Sequence, residues 1–306
     1  MGSSTSSAPP DLPEFETLGP AKGCGKIDIL FVIDDGGGIL EPQSKIESAQ
    51  DAQDVRESTN SFIAAMQDQV ADYDLQVMVV KGDRLWGGTN SSDCCVDAKP
   101  CDELGPYPCG PMPDSYTACD STLGAGVRYP AGFMASNRDC ELAGGHRYIT
   151  AAQDDFATTF DCIINVGRTG GVQRYLAAMV KAVGPTLNAE GGCNAGFVRP
   201  DAMLVVVIIA DTMDDLSPGT PEGLAASLVA AKAGYADGVV VVGVLSSVGY
   251  PGQEYCGDAL YDKSRQFVEG TPHHVLGSYC APDMGAFLSE ALGVIQTACE
   301  NFTPPG

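Results

Sequence analysis

The sequence predicts an α/β fold, doubly wound around a mainly parallel central sheet with helices on both faces and interrupted by a cysteine-rich insertion. Three observations predict it: unbroken runs of β-branched residues, apolar positions at helical spacing between those runs, and one block of Cys, Gly and Pro that breaks the alternation. Strands that show no apolar/polar alternation are buried on both faces, and parallel neighbours need crossover connections, which the intervening helices supply.

Residues 27–34, Ile-Asp-Ile-Leu-Phe-Val-Ile-Asp, read as the first buried strand. Val55, Thr59, Phe62, Ile63, Met66 and Val70 then recur at helical spacing and predict a helix over 46–70. Residues 75–80 form the second strand. From 83 to 145 the pattern fails: Cys94, Cys95, Cys101, Cys109, Cys119 and Cys140 lie among Gly, Pro, Asp and Ser. That insertion has too little apolar content for a core of its own, so disulfides are expected to hold its shape.

A short strand, Arg147 to Thr150, is expected to resume the sheet, and after a loop through 167–171 the spacing of Leu176, Met179, Val180 and Val183 marks a helix. Residues 202–211 are the most apolar strand and belong at the centre. Thr220-Pro-Glu is a helix start, with a capping hydroxyl, proline at the first helical position and an acid in the first turn, and the helix continues through Leu224, Leu228 and Ala231. Residues 238–245 are a further buried strand and 274–276 a lesser one. Met284, Phe287, Leu288, Ala291 and Ile295 form the stripe of a last helix. The organisation expected is a tether over 1–23, one domain over 24–300 and a tail over 301–306.

Twelve cysteines with no metal-binding CxxC pairs indicate disulfides and an oxidising compartment, hence a secreted or cell-surface protein. The N-terminal residues lack the charged and apolar regions of a signal peptide. Met1-Gly2 with Ser6 fits the pattern for N-myristoylation, a cytosolic lipoprotein modification that conflicts with the cysteine content. No stretch reaches the roughly 18 apolar residues of a transmembrane helix. A formal net charge of −23 repels phosphate, which argues against nucleic acid and anionic membranes as partners and favours basic surfaces.

Ligands of doubly wound sheets bind beyond the carboxyl ends of the strands, here the segments after Asp34, Thr150, Asp211 and Leu245. Two of those strands end in aspartate, and two carboxylates at neighbouring strand tips call for a cation. The opening strand with its Asp34-Asp-Gly-Gly-Gly38 tip, and the later Val-Ile-Ile-Ala-Asp211, resemble the von Willebrand factor A family, which includes the integrin inserted domains. The resemblance spans 24–299. It implies a metal-ion-dependent adhesion site holding Mg²⁺, Mn²⁺ or Ca²⁺ through an Asp-x-Ser-x-Ser motif, a threonine and a second aspartate, with the partner's carboxylate completing the shell.

Carried onto this chain, Asp34 and Asp211 match, Thr169 in Arg168-Thr-Gly-Gly171 is a candidate for the threonine without a motif to anchor it, and glycines Gly36 and Gly38 occupy the two serine positions. Losing two hydroxyl ligands leaves a cation weak or absent. Asp35, Asp214 and Asp215 are acidic neighbours expected to be solvated. The resemblance also implies a staple between Cys24 and Cys299, stabilising by about 5 kcal/mol in the chain-entropy picture. Cys256 is expected to pair with Cys280, and Cys162 with Cys140 or Cys193.

The functional expectation is a binding or adhesion module that recognises a protein or cell-surface ligand through the loops at this edge. The alternative is a cysteine-rich structural or fibre subunit that self-associates without metal. Catalysis is disfavoured. The chain contains no G-x-G-x-x-G, no G-x-x-x-x-G-K-[ST] and no G-x-S-x-G elbow after a strand, and of His146, His273 and His274 the adjacent pair cannot face the same way on a strand.

Overall fold

The computed structural model describes residues 23–35, 63, 73–84, 86, 114–132, 135–167, 173–214, 216–249, 262–281 and 284–303. Its centre is a sheet of β1 (Lys26–Ile33), β2 (Asp74–Lys81), β3 (Met203–Ala210), β4 (Val239–Leu245) and β5 (His273–Ser278). The order is β2-β1-β3-β4-β5 and every pairing is parallel. The chain steps from β1 to β2 on one side and returns to place β3 on the other, so the topological switch lies between β1 and β3.

Successive residues of each strand enter opposite layers. Ile27, Ile29, Phe31 and Ile33 join one core with α1 (Phe156–Ile164) and α5 (Met284–Asn301), and Phe31 meets Phe160 with ring centroids 5.1 Å apart. Leu30 and Val32 join the other core with α2 (Tyr175–Val183), α3 (Pro221–Ala231) and α4 (Lys263–Glu269). Each fully buried side chain of this kind contributes roughly 1.5–3 kcal/mol. Both faces are covered, as the unbroken apolar strands require.

Most of the expected elements are present. Pro221 opens α3 with Thr220 as its cap, Oγ1 accepting from Gly223 N at 3.2 Å. Ile63, the described residue of the expected 46–70 helix, is helical and buried. The helix α1 was not expected. Its cap is Asp155, which accepts from Thr158 N at 3.2 Å, and it buries Phe160, Ile163 and Ile164.

One strand is corrected. Residues 147–150 add no parallel strand; Ile149 makes a single antiparallel bridge with Val77 in the middle of β2. Thr150 therefore does not stand at a strand tip. Four residues beginning with an arginine give too little ladder, and Arg147 turns away to Gly126 O, 2.6 Å from Nε, and to Asp120.

The segment before it is tied to the body of the fold. Disulfides Cys119–Cys193 and Cys140–Cys162 both run from the insertion to residues beyond it, and buried Asn194 donates to Gly124 O at 2.8 Å and accepts from Gly126 N at 2.9 Å. A Cβ on Gly126 would lie 2.2 Å from Arg147 O, so only glycine lets the two backbones approach. Val127 N then donates to Val79 O at 2.8 Å and covers the free side of β2. Cys162 thus takes Cys140, one of its two expected partners, while Cys193 takes Cys119. Cys94, Cys95, Cys101 and Cys109 lie outside the described residues.

Cys24 is bonded to Cys299, as the family resemblance implied. Cys280 is also disulfide-bonded, and Cys256 lies outside the described residues.

Arg199 clamps the amino-terminal edge of the sheet. Its Nε reaches Asp28 Oδ1 at 2.7 Å, its amide reaches Asp28 Oδ2 at 2.8 Å, and its guanidinium also holds Asp74 at 2.6 Å. Lys232, itself buried, donates to the Arg199 carbonyl. Burial pushes the Asp28 carboxyl up from 3.8 to about 6 against the pull of Arg199. The folded chain therefore holds this proton more tightly than the unfolded chain. The stability it contributes is complete below the unfolded value and is lost as pH rises through the folded one, a change on the order of 3 kcal/mol. Denaturant unfolding of the native chain across that window is expected to show this fall, and Asp28→Asn to lack it; equal slopes in both proteins would refute the assignment.

Candidate functional site at the carboxyl edge of the sheet

The edge is assembled from the residues that follow β1, β3 and β4. Ile33 and Ile209 are register partners, and Asp34 N donates to Ile209 O at 3.0 Å, so Asp34 and Asp211 follow adjacent parallel strands at the same end. Asp34 is fully buried. Its Oδ2 accepts from both the amide of Thr212, at 3.1 Å, and the Thr212 hydroxyl, at 2.5 Å. The Asp211 carbonyl accepts from Ser246 Oγ at 2.7 Å, which ties the tip of β3 to that of β4.

A second layer lies under these tips. The Tyr175 hydroxyl donates to the Thr212 carbonyl at 2.9 Å and is hydrogen-bonded to Ser264 Oγ at 2.6 Å. Burial, followed by the charge of Asp262, pushes Tyr175 well above the ordinary tyrosine value, so it stays a neutral donor. Asp262 accepts from Ser264 N at 3.0 Å and from Ser247 Oγ at 3.1 Å. Side chains from α2 and α4 thus brace the loops of three strands. Thr212, Tyr175 and Ser246 were not singled out from the sequence; their roles come from contacts across the fold.

Two of the three acids expected to be solvated, Asp35 and Asp214, are buried instead. Asp35 is buried and Lys81 lies 3.5 Å from it, with Asp83 at 3.1 Å on the same ammonium. Asp214 is fully buried and accepts from Leu176 N at 2.7 Å, Ser217 N at 2.8 Å and Ser217 Oγ at 2.6 Å. Ser217 Oγ in turn accepts from Ala177 N at 2.7 Å. The first turn of α2 has amides without partners in its own helix, and this loop supplies acceptors together with a charge that suits the helix dipole. Between these anchors stands Leu216, 57% exposed, the one large hydrophobic side chain on the surface among the described residues.

Thr169, Gly36, Gly38 and Asp215 lie outside the described residues. The described residues of the edge fall short of the ligand shell of the divalent cation that the family resemblance implies. One Asp34 oxygen already accepts two hydrogen bonds from Thr212, positions 36 and 38 carry no side-chain oxygen, and among the described residues no three His, Cys, Asp or Glu side chains gather to hold a metal. A hard cation wants six or more oxygen ligands.

No family model matches the chain, and no curated protein matches it. Among solved structures it is similar to proximal thread matrix protein 1 from the mussel byssus. In its second crystal form the identity is 13% and the TM-score 0.42, over 90% of this chain and 49% of that one. Another structure of the same protein gives 12% and 0.41, over 90% and 48%. The form described with a zinc-occupied MIDAS motif gives 12% and 0.42, over 90% and 49%. The chain spans about half the length of these neighbours. The doubly wound α/β class rests on this chain's own strand order and buried layers.

Asp214→Ala removes the acceptor of three donors, two of them buried amides. It is expected to destabilise the fold by about 2–3 kcal/mol, read as a lowered denaturant midpoint with an unchanged slope.

Proposed function

We propose that the chain is an extracellular binding module, related to von Willebrand factor A domains, that recognises a protein or cell-surface ligand through the carboxyl edge of its sheet and does not act as an enzyme. The observation that carries this reading is Leu216. An exposed leucine alone is ordinary. Here it stands in the loop that follows Asp211, held on both sides by buried Asp214 and Ser217, which are bonded to the start of α2. A loop anchored at Asp214 and Ser217 before contact has less backbone to order on binding, which suits an interface anchor.

Three further features support the reading. The edge lies at the topological switch, where sheets of this class take their ligands. The net charge of −23 favours a partner surface with basic groups around an apolar pocket and opposes pairing between copies of the chain. Cys24–Cys299, Cys119–Cys193 and Cys140–Cys162 suit an oxidising compartment, and among the described residues no helix is long and apolar enough to cross a membrane.

Panning the immobilised chain against a phage-displayed random dodecapeptide library tests the reading. The expected result is enrichment of sequences pairing Lys or Arg with an aliphatic or aromatic residue, whose binding falls at least about tenfold in Leu216→Asp while its melting temperature is unchanged. Enriched peptides indifferent to that substitution, or no enrichment, would count against it. Size-exclusion chromatography with and without EDTA is expected to give a monomer both times; an oligomer in both would favour the structural-subunit alternative.

A further inference from the structure

We propose that Thr212 takes the place of a divalent cation at this edge, closing the Asp34 carboxylate by hydrogen bonding and so holding the tips of β1 and β3 in one arrangement whether or not Mg²⁺, Mn²⁺ or Ca²⁺ is present. The proposal says what holds the edge together in the binding reading above. It rests on Asp34 and not on Leu216, so the two fail separately.

A carboxylate taken out of water must be compensated by a cation or by donors, because burial without either is costly. Asp34 is fully buried, and both the amide and the hydroxyl of Thr212 converge on one of its oxygens. Hydrogen bonds to an ionised acceptor are roughly twice as strong as neutral ones.

Thr212 is itself fixed from behind, because its carbonyl accepts from Tyr175, whose hydroxyl is bonded to Ser264 at the start of α4. The next residue back, Asp211, is tied through its carbonyl to Ser246 after β4. The donor is therefore delivered by a rigid frame and needs no ion to position it. The two positions where the resembling family carries serine hydroxyls are Gly36 and Gly38 in this chain, so two of the side-chain oxygens that would draw a cation away from Thr212 are missing. A cation bound at Oδ2 would have to displace the hydroxyl donor and would gain no side-chain ligand at those positions in return.

The test uses the full chain with the chloride salts of Mg²⁺, Mn²⁺ and Ca²⁺, read by titration calorimetry and thermal melting. The native chain is expected to give no binding heat with any of the three at millimolar concentration and to melt at the same temperature with and without them. Thr212→Val keeps the shape and the amide but removes the hydroxyl, and is expected to melt roughly 3–6 °C lower. Thr212→Ser, which restores the donor, is expected to melt within about one degree of the native chain. Micromolar uptake of any of the ions by the native chain, or a Thr212→Val variant that melts with the native chain, would overturn the proposal. Should Thr212→Val fail to fold, the native titration and the Thr212→Ser melt still decide it.

Discussion

The pairing of β1 with β3 is the constraint on which the carboxyl edge of the sheet depends. Ile33 lies opposite Ile209, both strands end within a residue of that point, and the Asp34 amide continues the ladder to the Ile209 carbonyl. A shift of one residue would carry Phe31 from the layer it shares with Phe160 into the opposite one, and every other side chain of β1 with it. The apolar content of both layers therefore fixes where Asp34 stands. Once it is buried there its carboxylate needs donors, Thr212 supplies them, Tyr175 fixes Thr212, and the start of α4 fixes Tyr175. A polar network follows from an apolar register.

The long runs made the sheet legible. β1, β2, β3 and β4 are each seven or eight residues of nearly continuous apolar sequence, a signal that local context rarely overrides. Residues 147–150 were misread because their length leaves the choice to the partner, and β2 offered a flank already shared with Val127. The helix α1 had its signal in Asp155 followed by Phe156, Phe160, Ile163 and Ile164, but Thr158, Thr159 and Cys162 between them weaken the helical propensity. Asp34 and Asp211 were legible as acids closing buried strands. Tyr175 was not, since its hydroxyl matters only once the ring is buried, and Thr212 was not, since its partner is far away in sequence. Cys119–Cys193 joins an insertion to a turn after α2, a contact that no spacing encodes.

Several acids among the described residues serve the fold itself. Asp28, Asp34, Asp214 and Asp262 are buried and each is matched by donors: Arg199 for the first, Thr212 for the second, the start of α2 with Ser217 for the third, and Ser247 with Ser264 for the fourth. These hold elements together and add little to the field outside. The net charge of −23 carried by the whole sequence favours partners of the opposite sign.

Cys24 and Cys299 close the fold at the end opposite the tips of Asp34 and Asp211, where Gly23 N also donates to Phe302 O at 2.9 Å. The two ends of the domain therefore leave from one point, joined by a covalent bond. Tension applied through the flanking segments runs across that bond and bypasses the ladder of strands. A pull applied at Cys24 and Cys299 would leave the sheet unsheared, and the opposite edge would keep its shape under load.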